Sequence, residues 1–481
     1  MVPKHMIQDY IDYFLKVNEM KIVSGANWKL EIGAMTDLNA KKYGPALLFN
    51  KIKDYPSDYG VVTCMLSGPR RLSHTIGAPG ISCTDELLKY VEGKPYEWES
   101  RANDYPPKII DQNEIDGLSY SEDVDLFKFP TPLWHEGDGG RYIGTGGCVI
   151  TKDPDIGVIN LGTYRVMVHD KNTVSVFIED INHGNIQIRK YHKQGRPCPV
   201  AMSFGHDLLI YIASSMPIPY ELSEYNYAGS IRKESIQAFL GKITGLPIPA
   251  TTEIAVEGYI YPNDFVQEGP FAEFTGYYGG DRAPRYAVRL KSIYYRKNPI
   301  ILGSLTGKPP FDHSYWRSLL ESAAIRDRLR KAGVPEVKKV WRHEAGCSQF
   351  WTVVSISQQY IGHARQTGYI AAQCVEGASM GRYVIVVDDD IDPQNLQEVI
   401  WALSTRSDPA TGIEILHRAP SNPLDPIIKK PTTHYESSRA VIDACKPFEW
   451  IDSFPKTVEI SKDLEMEVRS KWPDLLEGDS K

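Results

Sequence analysis

Two carboxylates five residues apart, Glu268 and Glu273, stand in the stretch 267–278, QEGPFAEFTGYY. A Gly-Pro turn and Phe271 lie between them. After the turn, Phe271, Glu273 and Thr275 alternate with Ala272, Phe274 and Gly276, the pattern of a strand. A carboxyl set among aromatic rings loses water, and its charged form becomes costly. Its pKa rises, so it can hold and deliver a proton near neutral pH. The same pattern also fits an edge strand with its glutamates in solvent.

Asn160 and Arg165, in NLGTYR, place an amide oxygen and a guanidinium around a glycine that lets backbone approach a ligand. Arg165 could make a two-pronged pair with Glu268 or Glu273. An ordinary strand Asn and a surface Arg would read the same way. His183 lies between Asn182 and Gly184, and Glu224 follows the proline-stiffened SSMPIP at 214–219. Singly these fit a structural His and a solvated Glu. Together, Asn160, His183 and Glu224 offer amide, imidazole and carboxylate without sulfur, a donor set suited to Mn²⁺ or Mg²⁺. Spacing alone does not bring the three together. Gly144–Gly147 lacks the spacing and following helix of a dinucleotide loop. The acidic run 388–392 ends an apolar strand and reads as a helix cap before it reads as a metal site.

The elements that must position these groups fall into three stretches. Helical spacing marks 6–17 and 84–91, with an apolar run at 43–53 that reads as a buried strand. The acidic, turn-rich 108–129 reads as a surface connection, and a boundary falls near 130–133. From 134 to about 310 the chain is mostly strand: 139–150, 158–169, 174–181, 185–192, 254–261, 285–295 and 300–304, with an apolar 206–219 among them. This regular spacing predicts a barrel or sandwich-like β domain. Beyond 312, helices at 314–332, 362–377 and 394–405 alternate with strands at 337–342, 351–356 and 383–387, which predicts a largely parallel sheet. The tail from 420 opens Pro-rich and closes with a helix at 462–472.

The chain has 481 residues, a net charge of −7, 42% hydrophobic residues and no Lys/Arg block. That length predicts roughly three domains. The charge argues against nucleic acid or an anionic membrane as the main partner. Seven cysteines are scattered without a CxxC pair, as in a reduced cytoplasmic chain. No secretory signal or membrane span is expected.

The segments YGPALLFN (43–50), NLGTYR (160–165), NHG (182–184), SSMPIP with SE (214–224), EGPFAEFTGYY (268–278) and VVDDDID with EVIWALSTR (386–406) resemble, in order, the UbiD family of reversible decarboxylases that use prenylated FMN. The resemblance implies an α/β (α+β) multidomain fold. A split β-barrel flavin-binding domain (131–310) would be flanked by an N-terminal α/β region (1–130) and a C-terminal α/β oligomerisation domain with its final helix (311–481). It implies Mn²⁺ on Asn160, His183 and Glu224, anchoring the cofactor phosphate, and K⁺ nearby on unassigned main-chain oxygens. Gly162, Thr163, Tyr164, Asn182, Ser215 and Met216 would line the cofactor. Arg165, Glu268 and Glu273 would form the catalytic network, with Glu273 as proton donor. Arg382 stands where many members carry a cofactor-contacting Lys, and that exchange leaves the contact open.

The implied reaction is non-oxidative decarboxylation of an aromatic, heteroaromatic or α,β-unsaturated acid through a covalent bond to the cofactor. A flavin prenyltransferase would supply the cofactor, and the enzyme would be a homodimer or homohexamer. Alternatives are the CO₂-fixing direction, a non-catalytic subunit of a multi-subunit carboxylase, and a flavin reductase on the same scaffold. The intact Arg165, Glu268 and Glu273 argue against the last two.

Overall fold

A computed structural model describes residues 3–378, 380–429, 432 and 434–476. It is a mixed α/β structure in which four sheets carry most of the chain. The opening helix, Ile7–Lys16, buries Ile7, Tyr10, Ile11 and Phe14 along one stripe. Each such side chain contributes roughly 1.5–3 kcal/mol on leaving water. Strands Met20–Ser24, Ala46–Asn50 and Gly60–Thr63 form a sheet with Ile300–Leu302, which pairs parallel to Gly60–Thr63. That long-range pairing fastens the N-terminal layer to the central one.

The central sheet has nine strands, all paired antiparallel, and it curls into the expected split barrel. Its spine is the pair Ile254–Glu268 and Ala283–Arg296. Along Ile254–Glu268 the first five residues are buried, and then burial alternates with exposure. The strand leaves the closed core and becomes a half-exposed ribbon that ends at Glu268.

Several elements differ from the sequence reading. Residues 185–192, expected as a strand, lie in the helix His183–Lys193. Its buried Gly184, Gln187, Ile188 and Tyr191 recur at helical, not alternate, spacing. The apolar 206–219 contains the helix Leu208–Ser215, capped by the Asp207 carboxylate, which accepts from Leu209 N–H at 3.0 Å. The surface connection 108–129 supplies two strands, Lys108–Ile109 and Leu118–Ser121. The stretch after Glu268 is a folded loop and not a strand. Gly269 and Gly276 take φ of +90° and +81°, which turn the chain back on itself.

In the C-terminal sheet the parallel pairings join Trp351–Ile356, Tyr383–Asp388 and Glu436–Asp443. Val337–Arg342 and Ile413–Pro420 flank them antiparallel, so the sheet is mixed. The strand Glu436–Asp443 lies in the tail, where the Pro-rich opening hid it. The acidic run is structural: Asp388 and Asp390 pair with Arg406 at 3.2 and 2.8 Å. The helix Leu396–Arg406 is capped instead by Asn395. No helix among the described residues is long and apolar enough to cross a membrane.

Candidate active site

Arg165 sits where the strand Ile159–Gly162 has ended and Val166–Val168 is about to begin. Its guanidinium lies 4.3 Å from the Phe177 ring and 5.3 Å from that of Phe271. Arg165 Nε donates to Glu268 Oε1 and Nη2 to Glu268 Oε2, both at 2.9 Å. Its third nitrogen, Nη1, donates to Glu273 Oε1. One guanidinium therefore joins both carboxylates. Tyr142 Oη donates to Glu268 Oε1 at 2.8 Å, and Arg285 Nε stands 3.8 Å from the other oxygen. Among the described residues, Glu268 is thus fixed by three neighbours, whereas Glu273 has Arg165 alone as a side-chain partner. Burial pushes the Glu273 carboxyl above its ordinary range, against the pull of Arg165.

The loop holding Glu273 is clamped from behind. Asp138 Oδ1 accepts from Ala272 N–H at 3.0 Å, Pro270 O accepts from Gly139 N–H at 2.7 Å, and Ala272 O accepts from Thr306 Oγ1 at 2.5 Å. A Cβ on Gly139 would meet Gly269 O at 1.9 Å, so only glycine permits that approach.

Arg165, Phe177, Phe271 and Glu273 line one wall of a cavity of about 520 Å³, a volume usual for ligand sites. Asn160, His183 and Glu224 line it too, as do Gly162, Thr163, Tyr164, Asn182, Ser215 and Met216. The loop bearing Thr163 is tied to the helix Leu208–Ser215. Thr163 Oγ1 and Ser214 Oγ are 2.7 Å apart, and Ser215 Oγ donates to Thr163 Oγ1 at 3.0 Å. A Cβ on Gly162 would stand 2.2 Å from the Tyr164 ring, which folds back over it.

Among the described residues no cluster of three His, Cys, Asp or Glu side chains forms a metal site. Asn160, His183 and Glu224 make a mixed set on the cavity wall instead, and amide, imidazole and carboxylate donors suit a divalent cation. Glu224 Oε2 accepts from Leu161 N–H at 2.7 Å, yet burial still pushes its carboxyl up to about 8. Burial lowers the His183 pKa, which keeps the imidazole neutral and able to ligate. Without metal, folding favours protonated Glu224, so stability is greatest at low pH and falls as pH rises from 4.5 to about 8. In urea titrations of metal-free protein this fall is expected to shrink in Glu224→Gln; an unchanged slope contradicts the assignment.

Arg382 is not brought to the cavity. Its Nη2 donates to Asp425 Oδ1 and Oδ2 at 2.7 and 2.6 Å, and the guanidinium lies 4.7 Å from the Phe350 ring. That buried carboxylate holds the Arg382 cation, and Arg382 is not among the residues that line the cavity. The sequence reading did not anticipate Tyr142, Asp138, Glu179, Phe177 or Arg285. It also missed the far wall, where His313, Arg317, Glu321 and Arg342 line the cavity. Glu321 pairs with both Arg317 and Arg342, so these three groups carry one net positive charge.

Family models of 3-octaprenyl-4-hydroxybenzoate carboxy-lyase match most of the chain: the N-terminal domain at residues 12–91, the Rift-related domain at 111–309 and the C-terminal domain at 314–444. A phenolic acid decarboxylase of Sedimentibacter hydroxybenzoicus is 30% identical over 430 residues, covering 85% of this chain and 84% of its own. The vanillic acid decarboxylase structure from the same organism, in closed form, superposes with a TM-score of 0.82 at 26% identity, over 99% of this chain and 100% of that one. The UbiD-class enzyme HmfF from Pelotomaculum thermopropionicum, in complex with FMN, gives 0.82 at 24% identity over 96% and 98% of the two chains. Its evolved dimeric form with prFMN gives 0.78 over the same shares. With all three family domains present in order along the chain, this protein belongs to the UbiD family of carboxy-lyases.

Proposed function

We propose that the protein catalyses reversible, non-oxidative decarboxylation of an aromatic, heteroaromatic or α,β-unsaturated acid, with Glu273 as the proton donor. The observation that carries this reading is the single guanidinium of Arg165, on the cavity wall, shared between Glu268 and Glu273. Prenylated FMN is the cofactor that suits the cavity, as in the relative HmfF. When bound, it supplies the electron sink that an sp² carbanion lacks. Asn160, His183 and Glu224 would hold Mn²⁺, whose positive charge would offset the negative charge of the cofactor phosphate, and K⁺ would bind nearby. Gly162, Thr163, Tyr164, Asn182, Ser215 and Met216 line the cofactor. Residues 131–310 form the cofactor domain between regions 1–130 and 311–481, and the last of these makes a homodimer or homohexamer.

The chain's own residues then divide the work. Arg165 orients the substrate carboxylate and keeps Glu268 paired beside it. Phe177, Phe271 and Phe274 give the cavity an aromatic surface and exclude water from the reacting carbon. Glu273, whose carboxyl is raised above its ordinary range by burial, gives its proton to the carbon that carried CO₂. In the carboxylating direction the same carboxylate accepts it.

The test is reconstitution. Co-expression with a flavin prenyltransferase, followed by absorption spectroscopy, metal analysis and a screen of aromatic and unsaturated acids for CO₂ release, is expected to give a flavin-loaded, Mn²⁺-containing, active enzyme. Loaded protein inert toward every acid and toward CO₂ incorporation contradicts the reading. Glu224→Ala and His183→Ala are expected to lose metal and flavin together; stoichiometric flavin in metal-free variants removes the metal bridge.

A further inference from the structure

Each turnover consumes a proton, since RCO₂⁻ + H⁺ gives RH + CO₂. Glu273 ends the step as a carboxylate on a side chain 8% exposed. Something must reload it.

Glu179 is placed to do so. The strand Thr173–Val176 ends just before Phe177, and the extended segment beyond it follows the Arg165 loop. Phe177 N–H donates to Arg165 O at 3.3 Å, and the Phe177 ring lies against the Arg165 guanidinium. Two residues on, Glu179 lines the same cavity as Glu273. It is half-buried, and the next residues, Asp180 and Ile181, are exposed. The Glu179 side chain therefore lies between the interior and the outer rim. Among the described residues it makes no side-chain hydrogen bond and no ion pair. The charged groups facing it are Glu273 and Arg165, Arg285 from the strand Ala283–Arg296, and Asp180 beside it, with the Tyr164 hydroxyl close by. Both arginines are already engaged with Glu268.

We propose that Glu179 is a proton relay that reloads Glu273 from solvent between turnovers. The Glu179 carboxyl passes its proton to the Glu273 carboxylate, directly or through one water, and then takes another from solvent. The step is a proton transfer and needs no further reactant; run backwards, it drains Glu273 during carboxylation. Burial first, and then the charge of Glu273, push the Glu179 carboxyl up to about 7, where exchange with water is even-handed.

This rests on the proton-donor role given to Glu273 above, and the experiment separates the two. Wild type and Glu179→Gln, both loaded with prenylated FMN, are compared on one accepted acid. Expected are equal flavin content, equal KM and an equal first turnover. The steady-state kcat is expected to fall at least about tenfold, to lose its inflection near neutral pH and to be restored by a small buffer acid such as imidazole. An unchanged kcat overturns the relay, as does a first turnover slowed as much as the later ones. Carboxyl ¹³C titration of the flavin-free proteins gives a second readout. The relay requires the Glu179 midpoint to drop in Glu273→Gln, because the neighbouring negative charge is gone. An unmoved midpoint overturns it, whether or not the wild type turns over any acid tested.

Discussion

Glu273→Gln, loaded with prenylated FMN, is expected to keep its flavin and metal and to lose turnover by about 10²–10⁴-fold, the usual contribution of a positioned general acid. The amide preserves the shape of the side chain and can still accept from Arg165 Nη1 through its oxygen. The loop stays in place, because Asp138, Thr306 and Gly139 hold its backbone and none of them touches the Glu273 side chain. What is lost is the transferable proton. The check is the flavin spectrum beside the initial rate. A variant with normal flavin and near wild-type rate removes Glu273 from the role.

Arg165→Met is expected to damage stability as well as turnover. Methionine fills the slot between Phe177 and Phe271 but leaves Glu268 and Glu273 without their shared cation in a buried site. Removing one partner of a buried ion pair costs about 3–5 kcal/mol. The carboxylates can recover part of this by taking up protons, which raises their pKa in the folded state. A raised carboxyl pKa makes stability fall as pH increases. The variant should therefore be closest to wild type in acid and furthest from it above neutral pH, in urea midpoints measured at several pH values. Tyr142 and Arg285 remain beside Glu268, so Glu273 should be the more affected carboxylate. A variant as stable as wild type at every pH would contradict the geometry described for Arg165.

The parts of the site that could be read from the chain are those in which chemistry sits inside a short segment. Asn160 and Arg165, or Glu268 and Glu273, are near neighbours, and the glycines around them announce a tight backbone. The pairing of Arg165 with both glutamates was open in the residues alone, because more than 100 positions separate the partners. Tyr142 reaches Glu268 across 126 positions and Asp138 reaches Ala272 across 134; neither has a local signature. The strand pattern after Gly269 misled because the alternation over 271–276 cannot be told from a turn set by two glycines at positive φ. Residues 185–192 misled because Ile186, Ile188 and Tyr191 fit either period over so short a run. Arg382 was placed by analogy, and no feature of the sequence near it points to Asp425, 43 positions away.

The most direct measurement is hydrogen exchange at the reacting carbon. The decarboxylated product of an accepted acid is incubated in D₂O with loaded wild type and loaded Glu273→Gln, and deuterium at the former carboxyl position is followed by NMR. Enzyme-dependent exchange with wild type and none with Glu273→Gln at equal flavin content is the predicted result. Equal exchange in both proteins, or none with a wild type that decarboxylates the acid, would contradict Glu273 as the group that carries the proton.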